Sequence, residues 1–270
     1  MDTKNSLIQE ELAEGVLTLS LNAPKTGNAL DLAMTQALAD AVEHANTIPG
    51  LRCVLLRSTS RHFCTGGNVK DMDDGSDLMS GTVAEVRDRL RLGLHRITRA
   101  LRALEVPSIA AVNGAAVGAG FDVSLMCDLR IAGENARFAE SFLRLGLVSG
   151  IGGAWFLTRL VGPAKAMELT LTSEFFDART ALELGIVSQV VAADQLDDAA
   201  RALSEQIAAA PPTAARMATQ LVRQSAELSL PAALELAAGL QAMLLCGDEH
   251  KALVRQFLAD QTARRRDQTR

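Results

Sequence analysis

Apolar residues along the chain follow two kinds of pattern. Short runs that alternate or are wholly apolar read as strands: VLTLSL at 16–21, Cys53 to Leu56, Ser108 to Val112, Leu129 to Ala132, Ala136 to Ala139 and Ile186 to Val191. Runs with apolar residues every three or four positions read as helices. The first follows a cap at Asn28 or Asp31 and continues to about Asn46, with Leu30, Met34, Leu38 and Val42 on one face. A second, capped by Thr82, is expected to run unbroken to about Leu104, with Val83, Val86, Leu90, Leu94, Ile97 and Leu101 in line, and to stop at Pro107. Phe121 to Met126 and stretches near 163–171, 178–184 and 195–209 are also helical. From Pro212 onward the pattern is helical only, near 213–226, 231–246 and 248–262.

Between these elements, residues 58–68 read as a polar, glycine-containing loop and 73–81 as mobile. Residues 114–120 read as small and flexible, and 146–153 as a second glycine cluster. Residues 264–270 read as a charged, frayed tail. The expected fold class is α/β, with a mixed core over 1–204 and a helical region over 205–270. Pro211-Pro212 lies at the junction.

Composition narrows the function. The chain has 270 residues, 48% hydrophobic and 22% charged, a globular balance that excludes wholesale disorder. Lys and Arg number 27 against 32 Asp and Glu, so a nucleic-acid coat is disfavoured. Aromatics make up 3%, with no Tyr and one Trp, which disfavours base-stacking platforms. The cysteines at 53, 64, 127 and 246 lack zinc-ligand spacing and fit a reducing compartment. No run suggests a signal peptide or a membrane span, so a soluble cytoplasmic protein is expected. No metal site is expected: His44, His62, His95 and His250 are scattered.

Two glycine turns carry the candidate chemistry, each after a buried strand. In GAAVGAGFD (114–122), the amides opening a helix are unpaired and carry positive partial charge. Small residues there let a substrate carbonyl approach the Ala119 amide, and Asp122 follows one turn later. Read as a dinucleotide fingerprint the segment fails, because Val123 occupies the third glycine position. In FCTGGN (63–68), Gly66-Gly67 lets a second amide face a ligand. Two such turns can supply the two donors of an oxyanion hole. Ser149 does not satisfy G-x-S-x-G, since Leu147 stands two before it. Cys64 borders the site, but buried cysteine is usually inert.

These residues resemble the crotonase, or enoyl-CoA hydratase/isomerase, superfamily. The resemblance rests on LNAPKTGNALD (21–31), HFCTGGNVKDM (62–72), PSIAAVNGAAVGAGFDVSLMCDLRIAGENARFAES (107–141), LGLVSGIGGAWFLTRLVG (145–162) and AMELTLTSEFFDARTALELGIVSQVV (166–191), in order. It implies a spiral of ββα units, a homotrimer or dimer of trimers, and an acyl-CoA thioester substrate, with coenzyme A part of the substrate and no separate cofactor. It places the oxyanion amides at Gly67 and Ala119 and the catalytic carboxylate at Asp122. It puts the CoA ester against Lys25, Asn28, Ala29, Leu30, Thr65, Gly66, Asn68, Val69 and Phe142.

The chain departs from the family pattern in its acids. Asp122 stands where hydratases carry Glu, Phe142 stands in the second carboxylate slot, and Gly150 stands where some isomerases carry an acid. Glu140, two residues before the empty slot, is ordinarily expected to be solvated or salt-bridged, and could substitute if its strand carries it inward. The leading expectation is a double-bond isomerase or related lyase that uses Asp122 as a single base and holds a thioester enolate on two amides. The alternatives are hydration with Glu140 or ordered water replacing the missing group, and a non-catalytic acyl-CoA-binding protein.

Overall fold

The computed structural model describes residues 6–76 and 80–267, with side chains as far as 261. The reading of 73–81 as mobile and of 264–270 as a frayed tail therefore falls partly outside the described residues. The chain divides into two compact units, with bounds at Met1–Ala208 and Ala209–Arg270.

The first unit is organised by two sheets. The larger has six strands in the order β1 (Ile8–Ala13), β2 (Val16–Leu21), β3 (Cys53–Ser58), β4 (Ser108–Val112), β6 (Leu129–Gly133) and β9 (Gln189–Val191). Only the β1–β2 pair is antiparallel. The smaller sheet holds β5 (Ala115–Val117), β7 (Arg137–Ala139) and β8 (Phe176–Asp177). The chain steps from the large sheet to the small one and then enters a helix: β4 leads to β5 and α5 (Ala119–Met126), and β6 leads to β7 and on to α6 (Gly153–Thr172). This is the expected ββα spiral.

Parallel strands covered on both faces need apolar residues on both faces. Along β3, Val54 and Leu56 enter the main core, while Cys53 and Leu55 face a second cluster beneath α8 (Leu196–Ala208). That is why Cys53 to Leu56 is wholly apolar rather than alternating. The main core centres on three rings, Phe121, Phe138 and Phe176, whose centroids lie 5.6–5.8 Å apart. Arg130 is buried on β6 and donates to the carbonyls of Cys127 and Ile186, closing the end of α5.

The helix from Asp31 is α1 (Leu32–Ala45); the Asp31 carboxylate accepts the Met34 amide, so Asp31 rather than Asn28 is the cap. Short α2 (Val69–Asp74) follows the loop at 58–68 and takes in the first two residues of the segment read as mobile. The long helix expected over 82–104 is two helices. A Thr82–Glu85 capping box starts α3 (Val83–Leu92), and the chain breaks at Gly93 before α4 (Leu94–Arg102). The apolar stripe continues in register, but Gly93 leaves helical backbone angles, and a continuous period cannot reveal such a break. Three strands were also not expected: β1, β5 and β8. The first carries exposed Leu12 beside three charged or polar residues, Gln9, Glu10 and Glu11, and β5 lies within the residues read as flexible. Helix α6 begins ten residues before the expected one and bends at Gly162-Pro163.

In this unit α7 spans Ala178–Glu183. The second unit is helical throughout: α9 (Pro212–Ser225), α10 (Leu230–Cys246) and α11 (Asp248–Asp267), with α10 against both neighbours. No single helix among the described residues is long and apolar enough to cross a membrane.

Candidate active site

The site begins where β3 and β4 deliver the two glycine turns side by side. Cys64 bridges to Ala116 in parallel fashion, the Cys64 amide bonding the Ala115 carbonyl and the Val117 amide bonding the Cys64 carbonyl. Gly66 (φ 89°) and Gly118 (φ 51°) both adopt left-handed backbone immediately before the candidate amides of Gly67 and Ala119. Positive φ is cheap only for glycine, so each turn depends on that residue type. Among the described residues neither the Gly67 nor the Ala119 amide bonds an acceptor within the chain. Both residues line the same cavity, which encloses about 190 Å³.

The cavity wall is apolar, with Leu30, Met72, Leu90, Leu94, Phe142 and Ile151 contributing. Its charged lining residues, Asp31 and Asp71, are both acidic. Phe142 opens a 3₁₀ turn (Phe142–Leu145), and its ring comes up to Gly118, so the residue in the empty carboxylate slot is a wall of the oxyanion turn. Gly150 also lines the cavity, and open space surrounds the point where its side chain would begin.

The other sequence-predicted binding residues divide by position. Leu30 and Asn68 line the cavity; the Leu30 amide bonds the Gly66 carbonyl, and the Asn68 side chain caps α2. Thr65 bonds Gly27 and Thr26, tying the two loops together. Lys25 and Val69 are exposed. Two more are buried. Ala29 is buried and belongs to the core. Asn28 is fully buried at φ 59°, and its side chain is consumed internally. Its carbonyl accepts the Ala23 amide, and its amide donates to Ser58, Ser60, His62 and Phe63. Asn28 braces the loops and leaves no side-chain group for a ligand.

The acids form a unit that sequence reasoning missed. Asp122 is 0% exposed and Glu140 1% exposed, and neither lines the cavity. Their carboxyl groups lie close enough to perturb each other, while Asp122 Oδ1 and both Glu140 oxygens find no donor among the described residues. Asp122 Oδ2 accepts the Ser149 hydroxyl at 2.7 Å, and Ser149 Oγ accepts the Gly153 amide at 2.9 Å. A Cβ at Gly153 would overlap the Asp122 carboxylate, so the start of α6 must be glycine. Burial drives both acids above the usual carboxylate range, and the Asp122 charge pushes Glu140 up further. The Ser149 hydroxyl opposes the shift at Asp122.

The expectation that Glu140 is solvated or salt-bridged is thus wrong. Glu140 lies just past the end of β7 and is carried inward, the alternative the sequence had left open. Ser149 had a signal only as a failed hydrolase motif. His95 on α4 is half-buried and bonds the Gly150 carbonyl at 2.7 Å, holding the cavity loop. His62 lies within the loop framework, its Nδ1 3.4 Å from the Ala115 amide. Burial pushes the Cys64 thiol up to about 12, and the thiol donates to the Asn28 carbonyl, so it is no nucleophile. Among the described residues no group of His, Cys, Asp and Glu could hold a metal ion.

Residues 11–264 match the family model described as enoyl-CoA hydratase/isomerase. The chain belongs to that family. A probable enoyl-CoA hydratase of Rhizobium meliloti is 34% identical over 97% of this chain and 98% of its own length. The 1,2-epoxyphenylacetyl-CoA isomerase of Escherichia coli is 31% identical over 93% of this chain and 95% of its own length. Among solved structures, an enoyl-CoA hydratase of Mycobacterium smegmatis superposes with a TM-score of 0.88, at 32% identity over 95% of this chain and 97% of that one. The fold is therefore the crotonase fold, and the protein is an acyl-CoA enzyme of the enoyl-CoA hydratase/isomerase family.

Proposed function

We propose that this enzyme moves a carbon–carbon double bond within an acyl-CoA thioester through an enolate. The observation that carries this reading is the pairing of two unbonded, cavity-lining amides, Gly67 and Ala119, with the buried Asp122–Glu140 carboxyl pair. The amides stabilise negative charge as it develops on the thioester oxygen. Asp122, one turn beyond Ala119 on α5, takes the proton from the carbon chain and returns it at another carbon. Carboxyl groups already in contact favour passing one proton over holding a water molecule between them. The apolar wall suits an uncharged acyl group, and the acidic Asp31 and Asp71 disfavour one ending in a carboxylate.

Hydration is the second reading. It is favoured by relatives described as hydratases, including the 2,3-dehydroadipyl-CoA hydratase of Escherichia coli, 33% identical over 92% of this chain. Incubating trans-3-hexenoyl-CoA and crotonyl-CoA separately in heavy-oxygen water separates the two. Conversion of the 3-enoyl to the 2-enoyl thioester without label supports isomerisation. Labelled 3-hydroxyacyl-CoA from crotonyl-CoA, with no conversion of the 3-enoyl ester, overturns it.

Assembly as a homotrimer or a dimer of trimers belongs to the same proposal. The second unit exposes Leu230, Leu234, Met243, Phe257 and Leu258, apolar surface suited to further copies of the chain. Light scattering on the purified protein reads the mass directly.

A further inference from the structure

We infer that Ser149 and Glu140 form with Asp122 a single proton-handling unit, in which Ser149 holds Asp122 as the base and Glu140 keeps the proton that the pair shares. The inference rests on the reading of Asp122 above and assigns roles to two residues outside the family's usual acid positions.

The geometry leads there in three steps. First, Glu140 Oε1 and Oε2 and Asp122 Oδ1 have no hydrogen-bond donor among the described residues. Two ionised carboxylates in contact at such a site would repel each other without compensation. One proton between them converts the contact into a charge-assisted hydrogen bond.

Second, the environment decides which member carries that proton. A serine hydroxyl has one hydrogen to donate, and Ser149 gives it to Asp122 Oδ2, while the Gly153 amide is spent on Ser149 Oγ. Glu140 has no such donor. Asp122 is therefore the ionised partner and Glu140 the protonated one. No Lys or Arg contributes to either shift. From α4, His95 reaches this loop and is bound to the Gly150 carbonyl. From α6, Gly153, Phe156 and Leu157 bring no charge to the packed side.

Third, the unit abuts the cavity. Val148 and Gly150, on either side of Ser149, line it, as does Ala119 one turn before Asp122.

In the forward step the substrate C–H bond breaks, an O–H bond forms on Asp122, and the electron pair enters the thioester enolate. The pair then holds two protons and no charge. Delivery of either proton to the second carbon restores the starting state, with no net oxidation or reduction. Ser149 is a positioning residue throughout.

The test follows the pH profile of kcat for trans-3-hexenoyl-CoA, with KM measured alongside. In Ser149→Ala the hydrogen bond favouring ionised Asp122 is lost. The acid limb should move up by about 1–2 pH units, with KM little changed and rate recovering at high pH. Ser149→Thr should restore the limb. Glu140→Gln keeps a donor toward Asp122 but cannot ionise, so the alkaline limb should vanish while the acid limb stays. An unshifted acid limb in Ser149→Ala, or an alkaline limb that survives Glu140→Gln, overturns the inference. If Ser149→Ala does not fold, Glu140→Gln decides alone. Asp122→Asn keeps the two readings apart: full turnover in that variant removes the base itself, whereas an inactive Asp122→Asn beside unshifted Ser149 and Glu140 variants removes only this unit.

Discussion

The Ala119 amide nitrogen lies 3.4 Å from the point where a side chain on Gly66 would begin. The two glycine turns, more than fifty residues apart in sequence, are thus packed together at the place proposed above for the thioester oxygen. A Cβ there would also stand 2.6 Å from the Val117 carbonyl.

Gly66→Ala is accordingly expected to displace one or both amides. Its native φ of 89° adds backbone strain to the collision. Loss of one oxyanion donor costs about 10²–10³-fold in kcat. Steady-state kinetics with a circular dichroism control measures this; wild-type kcat in a folded Gly66→Ala protein refutes the placement of the oxyanion hole.

The carboxyl pair also makes stability depend on pH. Both acids are raised in the folded protein, so between the ordinary carboxylate range and their folded values the native state holds more protons than the unfolded chain. Their contribution is fully present below the unfolded values and is lost as pH rises through the folded ones. The melting temperature should fall on going from mildly acidic to alkaline pH, and Glu140→Gln should flatten that fall. A wild-type melting temperature that climbs over the same interval contradicts a shared proton.

Asn28 supplies the brace under both loops. Asn28→Ala removes an acceptor for Ala23 and the donors toward Ser58, Ser60, His62 and Phe63, and places Ala at φ 59°. Leaving buried partners unsatisfied costs about 1–3 kcal/mol each, with incomplete additivity. A chemical-denaturation midpoint should drop clearly, whereas a ligand-contact role alone would leave it unchanged.

Gly150 offers the converse experiment. Nothing lies within 4 Å of its would-be Cβ, and its backbone is not left-handed. Gly150→Asp should fold with stability changed by less than about 1 kcal/mol and add a carboxylate to the cavity wall. A second acid limb in the pH–rate profile would register it, and an unaltered profile would place that side chain outside the reacting region.

Much of this molecule follows from local pattern. Wholly apolar runs such as Cys53–Leu56 demand burial on both faces, and small residues before Asp122 demand a tight turn into a helix; both signals need only the neighbouring residues. The two glycine turns and the position of Asp122 were legible for that reason, and the family from the resemblance of several motifs in order. The break at Gly93 was not, because the apolar period passes through it undisturbed. Nor was the use of Asn28, whose partners lie about 30 residues away. The direction of Glu140, just past the end of β7, was left open by the sequence, and its meeting with Asp122 and Ser149 could not be read from it. Where those three side chains converge depends on how β7, α5 and the loop before α6 pack together, and their proton affinities depend on the burial that packing creates. Sequence alone determined which elements form and what chemistry they can carry; only the tertiary structure decided which carboxyl groups share a proton, because contact and desolvation arise when distant segments close on one another.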